Sequence, residues 1–188
     1  RTKQKQPRIV IDPGHGGEDP GAIGVSGIKE KQVNLQLGKQ IDNLLKQEGY
    51  QTLLTRKRDK FIPLAQRAQL ANQWSADIFV SIHANFNYKP RINGTATYAH
   101  WYSEKKNWAL AWYVQSELVK RIGLKDNGLK AANFVVLRKT KMPAILLETA
   151  FLSNPREERL LVNKEFQAKA VRGIVAGIKK YFANNPVR

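Results

Sequence analysis

Short apolar runs alternate with amphipathic stretches along most of the chain. Runs rich in β-branched residues are typical of buried strands, and they predict strands at 8–12, 51–55, 78–83, 95–101, 134–138 and 144–149. Apolar residues at helical spacing predict helices at 30–48, 64–74, 108–122 and 165–182. This alternation predicts a single α/β domain. It should have a mostly parallel, twisted central sheet of about six strands with helices on both faces.

The segments between these elements carry turn and capping signals. Asn127-Gly128 predicts a turn, and residues 56–60 predict a charged loop. Asn154-Pro155 is typical of a helix start, with a capping side chain followed by proline at the first helical position. The basic residues 1–7 are interpreted as a linker end, residues 8–183 as the folded domain, and residues 184–188 as a C-terminal tail.

The charge narrows the kinds of partner. Lys and Arg total 32 against 15 Asp and Glu, which gives a net charge of +17. Nucleic acid, an anionic membrane and an anionic cell-wall polymer all fit such a balance. No apolar run reaches the length of about 18 residues that a membrane-spanning helix needs. Cysteine is absent, so a metal ion would have to be held by His, Asp or Glu.

Three predicted strands end in residue types that can bind a metal ion or transfer a proton. His15 follows the first strand inside Pro13-Gly14-His15-Gly16-Gly17, His83 ends another strand, and Glu148 ends a third. Ligands in α/β sheets bind outside the carboxyl ends of strands. A surface turn with an incidental histidine would explain the first stretch alone equally well. The repeated arrangement is harder to explain by packing.

The sequence pattern alone does not decide the roles of two other residues. Glu30 lies in the first turn of a helix, where the helix dipole favours an acid of any function. Its position directly after the glycine-rich loop that carries His15 makes it a candidate metal ligand. His100 is interpreted as an ordinary strand side chain rather than a ligand.

Four motifs in order resemble the zinc-dependent N-acetylmuramoyl-L-alanine amidases of the Amidase_3 type. They are Ile-Asp-Pro-Gly-His-Gly-Gly at 11–17, Lys-Glu at 29–30, Ser-Ile-His-Ala-Asn at 81–85, and Met-Pro-Ala through Leu-Glu-Thr-Ala-Phe-Leu-Ser-Asn at 142–154. The likeness runs from about residue 8 to 182. It implies one Zn²⁺ ion per chain bound by His15, Glu30 and His83, with Glu148 as the catalytic carboxylate.

The resemblance also implies a substrate and a location. Such enzymes are peptidoglycan hydrolases that cleave the amide between the lactyl group of N-acetylmuramic acid and L-alanine of the stem peptide. We therefore expect an extracytoplasmic monomer that contacts peptidoglycan and anionic cell-wall polymers, with no nucleic-acid partner and no membrane span. Two departures stand out: Ala150 replaces a frequent glycine, and Asn127-Gly128 replaces a frequent Arg-Gly pair.

Two other classes of function remain as alternatives at this stage. One is a catalytically inactive wall-binding module of the same fold, which the intact set of ligand-type residues disfavours. The other is a basic nucleic-acid-binding protein, which the net charge alone supports. Finally, the segment 84–144 is fully used by predicted elements, so we expect no extra helix that covers the metal site.

Overall fold

Six strands and six helices account for most of residues 6–187, which are the residues described by this computed structural model. The strands are β1 (Arg8–Pro13), β2 (Gln51–Leu54), β3 (Ile78–Asn85), β4 (Thr95–Ala99), β5 (Asp126–Ala131) and β6 (Ala144–Phe151). The helices are α1 (Glu30–Gln47), α2 (Leu64–Gln73), α3 (Lys105–Ile122), α4 (Val135–Lys139), α5 (Pro155–Val162) and α6 (Lys164–Asn184).

One sheet contains all six strands in the order β2-β1-β3-β6-β4-β5. The first four in this order are parallel, whereas β4 is antiparallel to β6 and parallel to β5. The carboxyl ends of β1, β3 and β6 therefore meet at one edge, where the loops that follow them can share a site. The predicted fold class is confirmed.

The two faces of the sheet are packed unequally. Helices α1, α3 and α6 cover one face with a large apolar core that includes Ile9 and Ile11 of β1. The other face has a smaller apolar cluster, to which α2 and α4 contribute. Val10, which lies between Ile9 and Ile11 in β1, belongs to this smaller cluster. Because side chains alternate along a strand, His83 and Glu148 face the smaller cluster, on the thinner side of the sheet.

The prediction of a strand at 134–138 is wrong. These residues form the short helix α4, which begins after Phe134, and the carbonyl oxygen of Phe134 accepts bonds from the amides of Leu137 and Arg138. A five-residue apolar run is compatible with either structure, and burial of Val136 and Leu137 against the smaller cluster favours the helix here.

The prediction of a turn at Asn127-Gly128 is also wrong, because both residues belong to β5. Thr95 pairs with Asp126 and Thr97 with Leu129, so β5 has one residue more than β4 over this interval. This is a bulge, and Gly128 adopts the positive φ of 74° that such an insertion commonly needs. The same Asn-Gly signal that predicts a hairpin turn thus serves an edge-strand bulge.

Several boundaries differ from the prediction by a few residues. Strand β4 ends at Ala99, so His100 lies just beyond it, and α3 begins at Lys105. The last helix extends to Asn184, into the segment predicted as a tail, and the start at Asn154-Pro155 is confirmed by bonds from the amides of Arg156 and Glu157 to the Asn154 side chain. Residues 1–5 of the predicted linker lie outside the described residues. Within 6–187, no helix is long and apolar enough to cross a membrane.

Candidate active site

The loop after β1 presents His15 in an unusual backbone conformation. His15 has a φ of 61°, in the left-handed region that few non-glycine residues adopt. Such conformations persist only where surrounding contacts fix them. Two buried arginines provide those contacts.

Arg67 of α2 holds the loop that carries His15. It is 1% exposed and pairs with Asp12 at 2.9 Å. Its guanidinium also donates to the carbonyl oxygens of Pro13 and His15, each at 2.8 Å. Asp12 is completed by hydroxyl donors from Thr55 and Ser81, at 2.6 and 2.8 Å. A buried ion pair with every partner supplied can be tolerated in a core, and here it fixes the backbone that carries His15.

Arg56 holds the same loop from the other side. It is 3% exposed, so the charge of the segment 56–60 is not all on the surface. It donates to the carbonyl oxygens of Pro13 at 2.9 Å and Gly14 at 2.8 Å. A further bond reaches the carbonyl oxygen of Lys31 at 2.7 Å, which ties the loop to the first turn of α1.

His15, Glu30 and His83 come together at the carboxyl edge of the sheet. One potential ligand atom from each lies within 4.8 Å of the others, which is a spacing that could hold a metal ion. Glu30 Oε2 is 3.1 Å from His15 Nε2, and Glu30 Oε1 is 2.9 Å from His83 Nδ1. The sequence places these residues 15 and 53 positions from Glu30, and the fold unites them.

Glu30 is buried and fully partnered. Its oxygens accept bonds from the amides of Ala22 at 2.9 Å and Ala84 at 3.1 Å, and from Asn34 Nδ2 at 3.2 Å. Burial by itself raises the pKa of a carboxyl, but the bonds from His15 and His83 outweigh it and hold the pKa of Glu30 well below its ordinary value. Glu30 is therefore ionised at neutral pH.

Asp19 orients His15 from outside the cluster. Its Oδ2 is 2.7 Å from His15 Nδ1, which leaves Nε2 facing Glu30. Burial lowers the pKa of His15, but the bonds to Glu30 and Asp19 outweigh this and raise its pKa to about 9. A carboxylate on the outer nitrogen is the usual arrangement around a metal-binding histidine.

Two glycines make room for the cluster. A Cβ on Gly14 would lie 2.2 Å from His83 Cε1, and one on Gly21 would lie 2.6 Å from both Glu30 Oε2 and His15 Cδ2. Any larger residue at either position would displace a candidate ligand. The glycine-rich sequence of this loop thus has a specific steric cause.

Glu148 lies beside the cluster in a different environment. It pairs across the parallel strands with His83, so the two side chains are neighbours on the same face. Its Oε2 atom is shielded from solvent and has no hydrogen-bond partner within residues 6–187. Burial raises the pKa of Glu148 to about 7, although the charge of His83 opposes the rise.

A cavity of about 450 Å³ opens over these residues. His15, His83 and Glu148 are among the residues that line it. Apolar side chains from the start of α2 and the segment before it, and from α4 and the residue before it, also line the cavity, and they are Phe61, Ile62, Leu64, Phe134, Val135 and Val136. A mostly apolar cleft with a few convergent polar groups is the usual form of a small-molecule or substrate site.

A family model named N-acetylmuramoyl-L-alanine amidase, Amidase_3, matches residues 9–180. The chain belongs to this family. The match covers both strand-end histidines, Glu30 and Glu148, and it confirms the resemblance stated from the four motifs.

Individual relatives agree with the family match. The chain is 35% identical over 220 aligned positions to the amidase AmiC of Neisseria meningitidis serogroup B, covering 94% of this chain and 53% of AmiC. It is 39% identical over 175 positions to the amidase LytC of Bacillus subtilis, covering 93% of this chain and 35% of LytC. The chain thus spans about half or less of these two relatives.

A solved structure also matches closely. The catalytic domain of the amidase CwlV from Bacillus (Paenibacillus) polymyxa var. colistinus superposes with a TM-score of 0.90 and 39% identity, covering 95% of this chain and 99% of that one. The alignment with AmiC has more positions than this chain has residues, so AmiC contains inserted segments that this member of the family lacks.

Sequence reasoning missed the residues that support the amidase cluster. Arg56, Arg67, Asp19 and Asn34 were not singled out, because each looks like an ordinary polar residue of a loop or helix. The one available signal was Arg67, a charged residue flanked on α2 by buried Ala68 and Ala71. His100 lies apart from the cluster and contacts Asn133 at 3.2 Å.

Proposed function

We propose that this chain is a zinc-dependent N-acetylmuramoyl-L-alanine amidase domain. In this proposal one Zn²⁺ ion is bound by His15, Glu30 and His83, and Glu148 acts as the general base and acid. The reaction is hydrolysis of the amide between the lactyl group of N-acetylmuramic acid and L-alanine of the peptidoglycan stem peptide. The observation that carries it is the His15–Glu30–His83 cluster with the unpartnered carboxylate of Glu148 beside it.

The donor set fits zinc. Two histidine nitrogens and one carboxylate are a usual three-ligand set for catalytic zinc, which keeps a fourth position for water. The close approach at Gly14 and Gly21 supports a built site, since those positions accept no side chain. When bound, zinc lowers the pKa of its water from about 15.7 to about 7 and polarises the substrate carbonyl.

Glu148 supplies the proton transfers. Amide hydrolysis needs a group that takes a proton from the attacking water and one that gives a proton to the leaving amine. A carboxyl whose burial raises its pKa to about 7 exchanges a proton readily at neutral pH. Glu148 lines the cavity, which places its carboxyl within reach of a substrate bound there, while the buried Oε2, unpartnered within the described residues, contributes to the raised pKa.

Glu30 and the backbone anchors orient the site. Bonds from Ala22, Ala84 and Asn34 fix the Glu30 carboxylate, and its contacts with His15 and His83 keep it ionised. Arg67 and Arg56 hold the carbonyls next to His15, so its ring is positioned before substrate arrives. Such preorganisation avoids reorganisation cost during the reaction.

The remaining proposals concern the setting of the enzyme. Residues 8–183 form the catalytic domain, flanked by a linker end at 1–7 and a tail at 184–188. The domain acts as a monomer outside the cytoplasm, in the cell wall or periplasm. Its net charge of +17 holds it on anionic wall polymers. Pelleting with isolated walls should then fall steeply with salt, because the Debye length shrinks from about 10 Å at 0.1 M to about 3 Å at 1 M.

The deciding experiment is mass spectrometry of peptidoglycan digested with the purified, zinc-loaded chain. We expect lactyl-terminated glycans and stem peptides that begin with a free L-alanine amine. Fragments cut within the glycan or within the peptide would refute the proposed bond. Intact peptidoglycan, together with failure of the purified chain to retain about one added zinc ion, would instead support an inactive wall-binding module.

A further inference from the structure

One exposed cation lies beside the catalytic cavity, on the same face of the sheet as Glu148. Leu146 of β6 lines the cavity, Tyr98 of β4 pairs with Leu146, and Lys130 of β5 pairs with Tyr98. Leu146 and Tyr98 both pack in the smaller apolar cluster. These three residues therefore form a row that leads from the cavity towards the β5 edge of the sheet.

The ammonium of Lys130 is held over this row. Its Nζ lies 5.9 Å from the centre of the Tyr98 ring, within the range of a cation–π contact. The Tyr98 ring is in turn packed edge-on against Phe134 at 5.5 Å, and Phe134 lines the cavity. The cation is thus placed towards the cleft by aromatic contacts.

Lys130 has no acidic partner in the described part of the chain. None of the ion pairs within residues 6–187 involves it, although the carboxylates of Glu117, Glu48 and Asp59 each pair with a lysine. Its side chain is exposed. An oriented, unpaired cation at the rim of a substrate cleft is free to bind an anionic group of the substrate.

The position of the Lys130 ammonium fits a contact with a substrate group two residues beyond the scissile bond. The ammonium lies over Tyr98, which is on the strand next to β6, and neighbouring strands are about 4.8 Å apart. An extended peptide covers about 3.5 Å per residue, so two residues beyond the cleaved amide cover about 7 Å. The first residue beyond that amide is L-alanine, which brings the second to Lys130.

We propose that Lys130 binds the carboxylate of the stem-peptide residue that follows L-alanine and thereby directs the peptide over Tyr98 towards β5. This inference rests on the proposed amidase function. It makes Lys130 a specificity-determining residue for acidic over amidated stem peptides. The muramic acid side of the substrate then lies towards the part of the cavity lined by Phe61 and Leu64.

The test compares two substrates and two charges. N-acetylmuramoyl-L-alanyl-D-glutamate and the same compound with its carboxyls converted to carboxamides are given to the wild-type chain and to Lys130→Met. We expect the wild type to prefer the acidic compound about fivefold in kcat/KM, the scale of an exposed ion pair. Lys130→Met should bring this ratio to about one, mainly by slowing the acidic compound.

Two further variants serve as controls. Lys130→Arg should keep most of the preference, because it retains the cation. Lys120→Met removes the same charge from an exposed position on α3, on the other face of the sheet, and should leave the ratio unchanged. A loss of structure in Lys130→Met would slow both compounds equally and would not move the ratio.

The outcomes separate the two proposals. Cleavage of the amidated compound reports amidase function alone, because that compound has no carboxylate for Lys130; if the wild type cleaves neither compound, the proposed function fails and this inference with it. Cleavage by the wild type with a ratio that Lys130→Met does not change would overturn the Lys130 assignment alone. Inhibition by inorganic phosphate that Lys130→Met abolishes, without a change in ratio, would assign the cation to phosphate groups of wall polymers and also overturn the inference.

Discussion

Glu30 and Glu148 are both neighbours of His83, but their surroundings shift the pKa of the two carboxyls in opposite directions. Around Glu30, amides, an amide side chain and two histidines all contact the carboxylate. Around Glu148, the walls of the cavity are mostly apolar, and Oε2 has no partner within residues 6–187. The pKa of Glu30 is accordingly lowered, and burial raises the pKa of Glu148 to about 7.

The difference indicates a division of roles. A fixed, ionised carboxylate is suited to hold a cation permanently, whereas a carboxyl that titrates near neutrality is suited to transfer protons. Loop, helix and strand residues all supply hydrogen-bond donors to Glu30, whereas none is supplied to Glu148 Oε2 within residues 6–187. In the proposed function, the arrangement separates a ligand from a base without any difference in residue type.

The largest expected effect comes from removing the charge of Glu30. Glu30→Gln should reduce bound zinc from about one ion per chain to near zero and abolish amidase activity, because the site has no spare ligand. Metal analysis of the purified variant checks this. Glu18→Gln, which removes an exposed carboxylate from the loop that carries His15, should keep both metal and activity. A zinc-replete, active Glu30→Gln protein would exclude Glu30 from the site.

A smaller effect is expected from the residue that orients His15. Asp19→Ala removes the 2.7 Å contact to His15 Nδ1 and should weaken zinc binding by about 10–100-fold, the usual cost of losing such a partner. Asp19→Asn keeps an acceptor oxygen and should lose less. Competition with a chromophoric chelator measures both. Unchanged affinity in the alanine variant would mean that the His15 ring is held by the cluster alone.

The two glutamates should also change the free energy of unfolding of the zinc-free chain in opposite directions as pH rises. The folded pKa of Glu148 is raised from 4.5 to about 7, so ionisation of this group destabilises the fold as pH rises through that window. Urea unfolding of Glu148→Gln against wild type should therefore show a gain that grows between these pH values, to at most about 3 kcal/mol. Glu30, with a lowered pKa, contributes stability above 4.5 that is lost as pH falls. Parallel plots of unfolding free energy against pH for wild type and Glu148→Gln would contradict the raised pKa of Glu148.

The sequence predicted strands β1, β2, β3, β4 and β6 and the cluster, because these depend on strong local signals, whereas β5 was missed. Buried parallel strands read as apolar runs, and the residue that ends such a run lies at the ligand-binding edge, which is why His15, His83 and Glu148 could be named together. Glu30 could be named because it begins a helix directly after the loop. The metal and catalytic roles of these four residues remain proposals.

The rest depended on contacts that no local pattern encodes. Arg67 and Arg56 are buried only because distant carbonyls accept their bonds. The segment 134–138 became a helix because tertiary packing decided between two structures that its composition allows. The positive φ of Gly128 could serve a turn or a bulge, and only the pairing with β4 selects the bulge.

The most direct test of the contrast is one comparison of wild type with Glu148→Gln, in which zinc content and the rate of L-alanine-terminated peptide release from peptidoglycan are measured on the same samples. The account predicts about one zinc ion per chain in both proteins and a rate about 10²–10⁴-fold lower in the variant, the range of general acid–base catalysis. Near-wild-type release by Glu148→Gln would contradict the assignment of Glu148 as base, and loss of its zinc would contradict the division of roles, because Glu148 would then be needed to hold the metal.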